Sequence, residues 1–165
     1  MAGRTEKTLE DLFEDTLKDI YYAERQITRA LPKMAKAAQS PDLKAGFEKH
    51  LQETEGHIER LQQIFELIDK PARGKTCEAI LGIIEEGKSI MEEFEGTPAL
   101  DAGLISAAQA VEHYEIARYG TLKAWAKQLG KTDVVKLLEA TEKEEIATDQ
   151  TLSKLALQEA NLKAA

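Results

Sequence analysis

The chain has 165 residues, of which 42% are apolar and 32% are charged, and no apolar run approaches the roughly 20 residues of a membrane span. These proportions exclude collagen-like and disordered chains and predict one soluble globular domain over residues 1–165. With 22 basic and 30 acidic side chains, the net charge of -8 disfavours nucleic-acid and membrane partners and favours metal cations.

The chain contains one cysteine, Cys77, which rules out an intrachain disulfide and any cysteine-based zinc or iron–sulfur site. The first residues lack the apolar core of a secretion signal, so we expect a cytoplasmic location. No glycine-rich phosphate-binding motif occurs, and nucleotide chemistry therefore has no support in the sequence.

Helical periodicity dominates the chain, and nothing is typical of a strand. The first helix is predicted to start at the N-cap Thr8 and to contain Pro32, which can kink it. A turn is predicted at residues 40–42. Helices are predicted over residues 8–39, 43–68, 76–94 and 101–129, and from a turn at 130–133 to about residue 160.

This order places one helical hairpin on each side of a long crossover, and the crossover contains a short fifth helix. One long crossover between two hairpins is typical of the ferritin-like four-helix bundle, whereas a simple up-and-down bundle has three short loops. The sequence therefore predicts an all-α, ferritin-like fold.

Carboxylates interrupt the apolar stripes of three long helices. The first helix has Glu24 in the middle of its stripe, and the third has Glu112 and Glu115 in its stripe. The fourth has Glu145, with Asp149 one turn beyond it. Counted from the second hairpin turn, the acids of the third and fourth helices lie at similar depths, about 14 to 19 residues away.

The second helix supplies Glu53 and His57, which are spaced i, i+4 and lie beside its predicted apolar stripe. The usual di-iron motif has Glu and His at i, i+3, which would place Thr54 at the Glu position. Glu24 and His57 lie at equal depth about the first turn and can meet. His57 is either a ligand or a surface residue, and His50 is either a partner of a ligand or a partly exposed histidine. The predicted stripe of this helix contains Phe47, Leu51, Ile58, Leu61, Phe65 and Ile68.

Carboxylates that converge in an apolar interior cost several kcal/mol each unless positive charge joins them, and no Lys or Arg occupies the inward positions. Oxygen ligands with an imidazole suit iron or manganese, and the number of acids suits two ions per chain. The alternatives are acids that point sideways to solvent and a metal-free bundle whose acids are protonated or paired. The candidate metal ligands are Glu24, Glu53, His57, Glu112, Glu115, Glu145 and Asp149.

Four tyrosines, Tyr21, Tyr22, Tyr114 and Tyr119, fall close to these acids in the sequence. Most buried tyrosines pack and hydrogen-bond to a neighbour. The further alternative is that Tyr21 or Tyr119 bonds to a ligand carboxylate or carries an oxidising equivalent.

Several segments resemble the YciE/YciF group of bacterial ferritin-like stress proteins, and the block over residues 111–122 is the most specific. The other matching segments are residues 8–13, 19–24, 50–54 and 144–149. The resemblance implies a bundle related to rubrerythrin, a di-metal site at the candidate ligands, a dimeric assembly and a link to stress responses.

Two functions stay open at this stage. The first is a di-iron or di-manganese protein that reacts with oxygen or peroxide, and the second is a non-enzymatic, metal-stabilised stress protein that acts through protein contacts. The predicted crossover helix has more apolar side chains than it needs to cover the bundle. Together with the resemblance, this predicts a homodimer, unless all these side chains pack on their own chain.

Overall fold

The computed structural model describes residues 6–165, which form helices with no strand among them. No helix within this range is both long and apolar enough to cross a bilayer. The all-helical fold is confirmed. The five main helices are α1 (Leu9–Ala37), α2 (Pro41–Leu67), α3 (Glu78–Glu93), α4 (Leu100–Gln128) and α5 (Thr132–Leu155).

The helix starts follow from their capping residues. Thr8 caps α1 as predicted, because its hydroxyl accepts the backbone N–H of Asp11 while the Asp11 carboxylate accepts the backbone N–H of Thr8. The predicted turn at residues 40–42 is wrong, since Ser40 caps α2 and Pro41 is its first residue. Proline suits the first helical position, where its missing N–H would have no partner in the helix.

The second hairpin is equally tight. Gly130 adopts a positive φ of 71° after α4, and α5 begins at Thr132. The predicted helix to residue 160 changes its hydrogen-bonding pattern at Leu155, where a π-helical turn over Ala156–Ala160 leads into a final short helix, α6 (Asn161–Ala164).

The four long helices pack in a closed order. Each hairpin pairs its own two helices, while α2 contacts α5 and α1 contacts α4. The crossover helix α3 lies on α1 and α4. The inward face of each long helix therefore meets two neighbours, and the side chains at mid-length are buried between them.

The buried face of α2 differs from the predicted stripe. Leu51 and Ile58 are only half-buried, whereas His50, Thr54 and His57 are buried. The true stripe contains Leu43, Phe47, His50, Thr54, His57, Leu61 and Ile64. Polar residues occupy its centre, so a search for apolar residues alone selects a face that is rotated about the helix axis.

Candidate metal centre

Four carboxylates and two histidines from the four long helices meet in the interior. Each of the six residues has 3% or less of its surface exposed. The stripes of α1 and α4 bring their acids inward as predicted, and α2 contributes both of its inward histidines. The six residues are Glu24, His50, His57, Glu112, Glu115 and Glu145, and we call them the buried cluster.

The buried cluster divides into two groups of four residues. The first contains Glu24 and His57, the second contains His50 and Glu112, and Glu115 and Glu145 belong to both. Within each group, one ligand atom from every residue lies within 4.8 Å of the others. Two adjacent positions thus share two carboxylates, which is the arrangement of a dinuclear carboxylate site.

His57 faces the buried cluster with one ring nitrogen and the outside with the other. Its Nδ1 lies 2.9 Å from Glu145 Oε1 and 3.4 Å from Glu24 Oε1. Its Nε2 lies 2.9 Å from Glu144 Oε2, and Arg60 donates to both oxygens of that carboxylate at 2.7 and 2.8 Å. An outer ion pair therefore fixes the ring of this histidine.

His50 lies on the other side of the buried cluster and has a longer outer contact. Its Nε2 lies 3.0 Å from Glu112 Oε1, and its Nδ1 lies 3.8 Å from Glu53 Oε2. The Glu53 carboxylate also contacts Lys49 at 3.1 Å and accepts the hydroxyl of Thr148 at 3.2 Å. The structure therefore places Glu53 behind His50 and outside both groups.

Asp149 also lies outside both groups. Its carboxylate accepts a hydrogen bond from Gln109 at 3.1 Å and lies 3.2 Å from Nε2 of His113, whose side chain is 68% exposed. Asp149 lies four residues after Glu145, which corresponds to about 6 Å of helix rise. Asp149 therefore meets the outer part of α4 instead of the buried cluster.

Tyr119 holds one carboxylate of the buried cluster. Its hydroxyl donates to Glu24 Oε1 at 2.5 Å, and the residue is buried. Tyr21 instead accepts a hydrogen bond from the Gln62 amide at 3.3 Å. Of Tyr21 and Tyr119, Tyr119 is therefore the one that bonds to a carboxylate of the buried cluster.

The buried cluster has unused ligand atoms. Among the described residues, nine buried side-chain nitrogen and oxygen atoms have no hydrogen-bond partner, and all nine belong to the buried cluster. Both oxygens of Glu115 and of Glu145 are among them, together with Nδ1 of His57 and Nε2 of His50. A buried polar atom without a partner costs free energy, and a cation between these atoms would satisfy them together. The residues present fit a metal.

Without a cation, the buried cluster balances its own charge. Burial raises the pKa of Glu112 to about 8 and that of Glu115 well above the usual range. Burial opposes protonation of the histidines, yet the carboxylates of Glu112 and Glu53 raise the pKa of His50 to about 10. Those of Glu145 and Glu24 raise the pKa of His57 to about 11. The expectation of no Lys or Arg at the inward positions left out these two histidines, which can pair with the acids.

Three contributors to the site are not among the candidate ligands predicted from the sequence. They are His50, Glu144 and Arg60. The signal for His50 was its seven-residue distance from His57, which corresponds to two helical turns and one face. Glu144 and Arg60 left no such signal, because their partnership depends on the packing of α2 against α5.

Comparison with known proteins supports the resemblance. Residues 8–165 match the family described as a domain of unknown function, DUF892. The chain is 47% identical to Protein YciF of Escherichia coli (strain K12) over 159 residues, which are 96% of this chain and 96% of that protein.

Solved structures of similar proteins have the same fold. The crystal structure of the E. coli stress protein YciF matches with a TM-score of 0.90 and 46% identity, over 94% of this chain and 99% of that one. YcfI from Rhodopseudomonas palustris, a proposed structural protein, matches with a TM-score of 0.88 and 47% identity, over 93% and 98% of the two chains. A protein from Xanthomonas campestris pv. campestris, 22% identical with a TM-score of 0.73, shares the fold over 94% of each chain. The chain belongs to the DUF892 family, to which the resemblance to YciF had pointed.

Proposed function

We propose that the chain is a ferritin-like four-helix bundle that binds two metal ions and acts in the bacterial stress response in the cytoplasm. Iron is the first candidate metal and manganese is the alternative. The closed packing order of the two hairpins supports the ferritin-like arrangement, and the stress role rests on the likeness to the E. coli stress protein YciF.

The observation that carries the proposal is the pair of four-residue groups that share Glu115 and Glu145. Four ionised carboxylates supply a charge of -4, and two divalent ions supply +4, so the site is neutral when both histidines are neutral. A neutral site removes the cost of burying net charge. Carboxylate oxygens with one imidazole at each position suit iron or manganese.

The residues divide by role in this proposal. Glu24 and His57 bind at one position, His50 and Glu112 at the other, and Glu115 and Glu145 lie between them. Glu144 orients the ring of His57 from outside, as outer carboxylates commonly do for metal-bound histidines, while Glu53 lies 3.8 Å from the ring of His50. The bound metals would supply the electrons for reduction of oxygen or peroxide. The protein holds the ligands through Tyr119 and the outer carboxylates and excludes bulk water by burial.

A non-enzymatic, metal-stabilised protein that acts through contacts is the second candidate. Two observations favour it: YcfI of R. palustris is a proposed structural protein, and all six residues of the buried cluster have 3% or less of their surface exposed. Metal-dependent peroxide consumption that Glu115→Ala abolishes would favour the enzyme. Oxidation of bound ferrous iron no faster than that of free ferrous iron would favour the second candidate.

Metal content tests the site itself. Protein loaded anaerobically with ferrous iron or with manganese should hold about two ions per chain, and a variant with both Glu115→Ala and Glu145→Ala should hold none. Asp149→Asn is the matched control, because this acid lies outside both groups and the variant should keep both ions. A metal-free wild type after loading, or a fully loaded double variant, would contradict the proposal.

We also propose a homodimer. Phe94 at the end of α3 remains 41% exposed. This side chain gives that end of α3 an apolar contact for a second copy. Sedimentation should show twice the mass of the 18.3 kDa chain, and a single 18.3 kDa species at micromolar concentration would contradict the dimer.

A further inference from the structure

An apolar cavity of about 80 Å³ lies between the crossover helix and the two helices that it covers. Ile27 and Met34 of α1, Ile84 and Met91 of α3, and Ala107 of α4 belong to its wall. Its walls exist because α3 lies over the contact between α1 and α4. Gly87 faces Ala107, and an added Cβ would lie 3.4 Å from the alanine Cβ, so these small residues let α3 approach α4 closely beside the cavity.

The polar residues of this cavity lie at its two ends. Lys33 and Lys88 line it and are exposed, so they mark its outer end. His50 and Glu112 line it and are buried, so they mark its inner end. The cavity therefore leads from the protein surface to one side of the buried cluster.

The two positions of the buried cluster differ in whether the cavity borders them. The His57 side is covered by Tyr119, whose ring centroid lies 6.4 Å from that of His57, and by the pair of Arg60 and Glu144. The His50 side borders the cavity. Any molecule in the cavity would therefore lie next to His50 and Glu112.

We propose that this cavity binds a small uncharged hydrocarbon group beside His50 and Glu112. The inference rests on the proposed function in one respect, because it names the class of molecule that would lie next to the metal centre. An apolar wall favours an apolar occupant and disfavours hydrated ions, which would lose their water inside it.

The volume limits the size of this occupant. A cavity of about 150 Å³ lined by apolar side chains binds benzene or xenon. A cavity of about 80 Å³ suits xenon or a hydrocarbon of three to four carbon atoms. We therefore take xenon and n-butane as the probes.

The methionines provide a direct measurement. Met34 and Met91 line the cavity, and the remaining methionine, Met1, is outside the described residues. In metal-free protein labelled with ¹³C at the methionine methyl groups, xenon and n-butane should shift the signals of Met34 and Met91 in a saturable way. Absence of a saturable shift at both methionines would overturn the proposal.

Cavity-filling variants locate the binding. Ala107→Leu should reduce the affinity for n-butane by about tenfold or more, because its side chain occupies the space of the ligand. Ala30→Leu fills the same cavity from α1 and serves if Ala107→Leu fails to fold. Ala110→Leu is the matched control, since Ala110 is exposed on α4 and does not line this cavity. Methionine methyl shifts caused by n-butane that persist in a folded, cavity-filled variant would overturn the proposal.

A manganese-loaded sample tests the position of the ligand. Bound Mn²⁺ should accelerate the proton relaxation of n-butane in the wild type and in Ala110→Leu but not in Ala107→Leu. Equal relaxation in all three loaded proteins would overturn the placement beside His50. Failure to bind manganese would count against the proposed function alone, because the methionine shifts of metal-free protein decide whether the cavity binds hydrocarbon.

Discussion

Nε2 of His57 lies 2.9 Å from Oε2 of Glu144, so a partly exposed carboxylate of α5 fixes a fully buried histidine of α2. Because Nε2 of His57 contacts Glu144, Nδ1 is the ring nitrogen that faces the buried cluster. Glu53 lies 3.8 Å from Nδ1 of His50, which is too far for a hydrogen bond. Of the two histidines, His57 is therefore the one whose ring is held from outside by a hydrogen bond.

We predict that Glu144→Gln weakens metal binding by about 10- to 100-fold, the usual effect of losing a carboxylate that orients a metal-bound histidine. A competitive titration with a metal indicator measures the affinity. Glu139→Gln is the matched control, because Glu139 pairs only with Lys143 at 3.7 Å on the surface of the same helix. Equal affinities of the two variants would show that Glu144 does not act through His57.

We predict that Tyr119→Phe lowers the free energy of unfolding of metal-free protein by about 1–3 kcal/mol. The variant leaves Glu24 Oε1 buried without its hydroxyl donor. Tyr22→Phe, on a half-buried position of α1, should change stability much less. Urea unfolding of the chelated proteins compares them, and equal midpoints for Tyr119→Phe and wild type would contradict the role of this hydrogen bond.

We predict that metal-free protein loses stability as the pH rises from about 5 to 10. The pKa of Glu112 rises from 4.5 to about 8 on folding, so its contribution is full below pH 4.5 and is lost as the pH rises through 8. The histidine contributions are full below pH 6.5 and are lost through about 10 for His50 and 11 for His57. The pKa of Glu53 falls to about 2 on folding, so its contribution to stability changes only below pH 4.5. Thermal unfolding in chelator across this range measures the trend, and a melting temperature that rises with pH would contradict it.

We predict that metal-loaded protein melts higher than metal-free protein at pH 7 and that the difference narrows toward pH 5. Loaded protein loses metal on acidification because protons compete for the ligands, while metal-free protein gains stability as its acids are neutralised. Paired melting curves at each pH test this. Identical curves at pH 7 would show that metal contributes nothing to the stability of the fold.

We predict that Asp101→Asn destabilises the fold by about 1–3 kcal/mol without changing metal affinity. Asp101 is buried at the start of α4, and its carboxylate accepts the backbone N–H groups of Gln39 and Ser40, both at 2.8 Å. The variant replaces one acceptor oxygen by a donor that faces an N–H group. Asp133→Asn, on an exposed site at the start of α5, is the control for urea unfolding.

The helices could be predicted because their signals are local. Thr8 and Gly130 lie at helix ends for reasons of capping and backbone conformation. The inward direction of Glu24, Glu112 and Glu115 follows from apolar neighbours three and four residues away on the same helix. That of Glu145 follows from Leu138 and Leu152, which lie seven residues away on either side. These features need no knowledge of the other helices.

The face of α2 required the neighbouring helices. His50, Thr54 and His57 continue the spacing of Phe47 and Leu61, but their polarity hides the stripe from a hydropathy pattern. The rotation of a helix about its axis is decided by what it packs against, and α2 turns its histidines toward acids of the other three helices. Metal ligation by Glu53 and Asp149 stays a prediction, although both carboxylates lie outside the two groups of the buried cluster.

The sequence by itself determined the helices and the inward acids of α1, α4 and α5, because periodicity and capping act within a few residues of one helix. Only the tertiary structure decided which acids share a position, that Glu144 holds His57, and that a cavity ends at His50. These relations join residues far apart in the chain, and their distances depend on how the helices pack against one another.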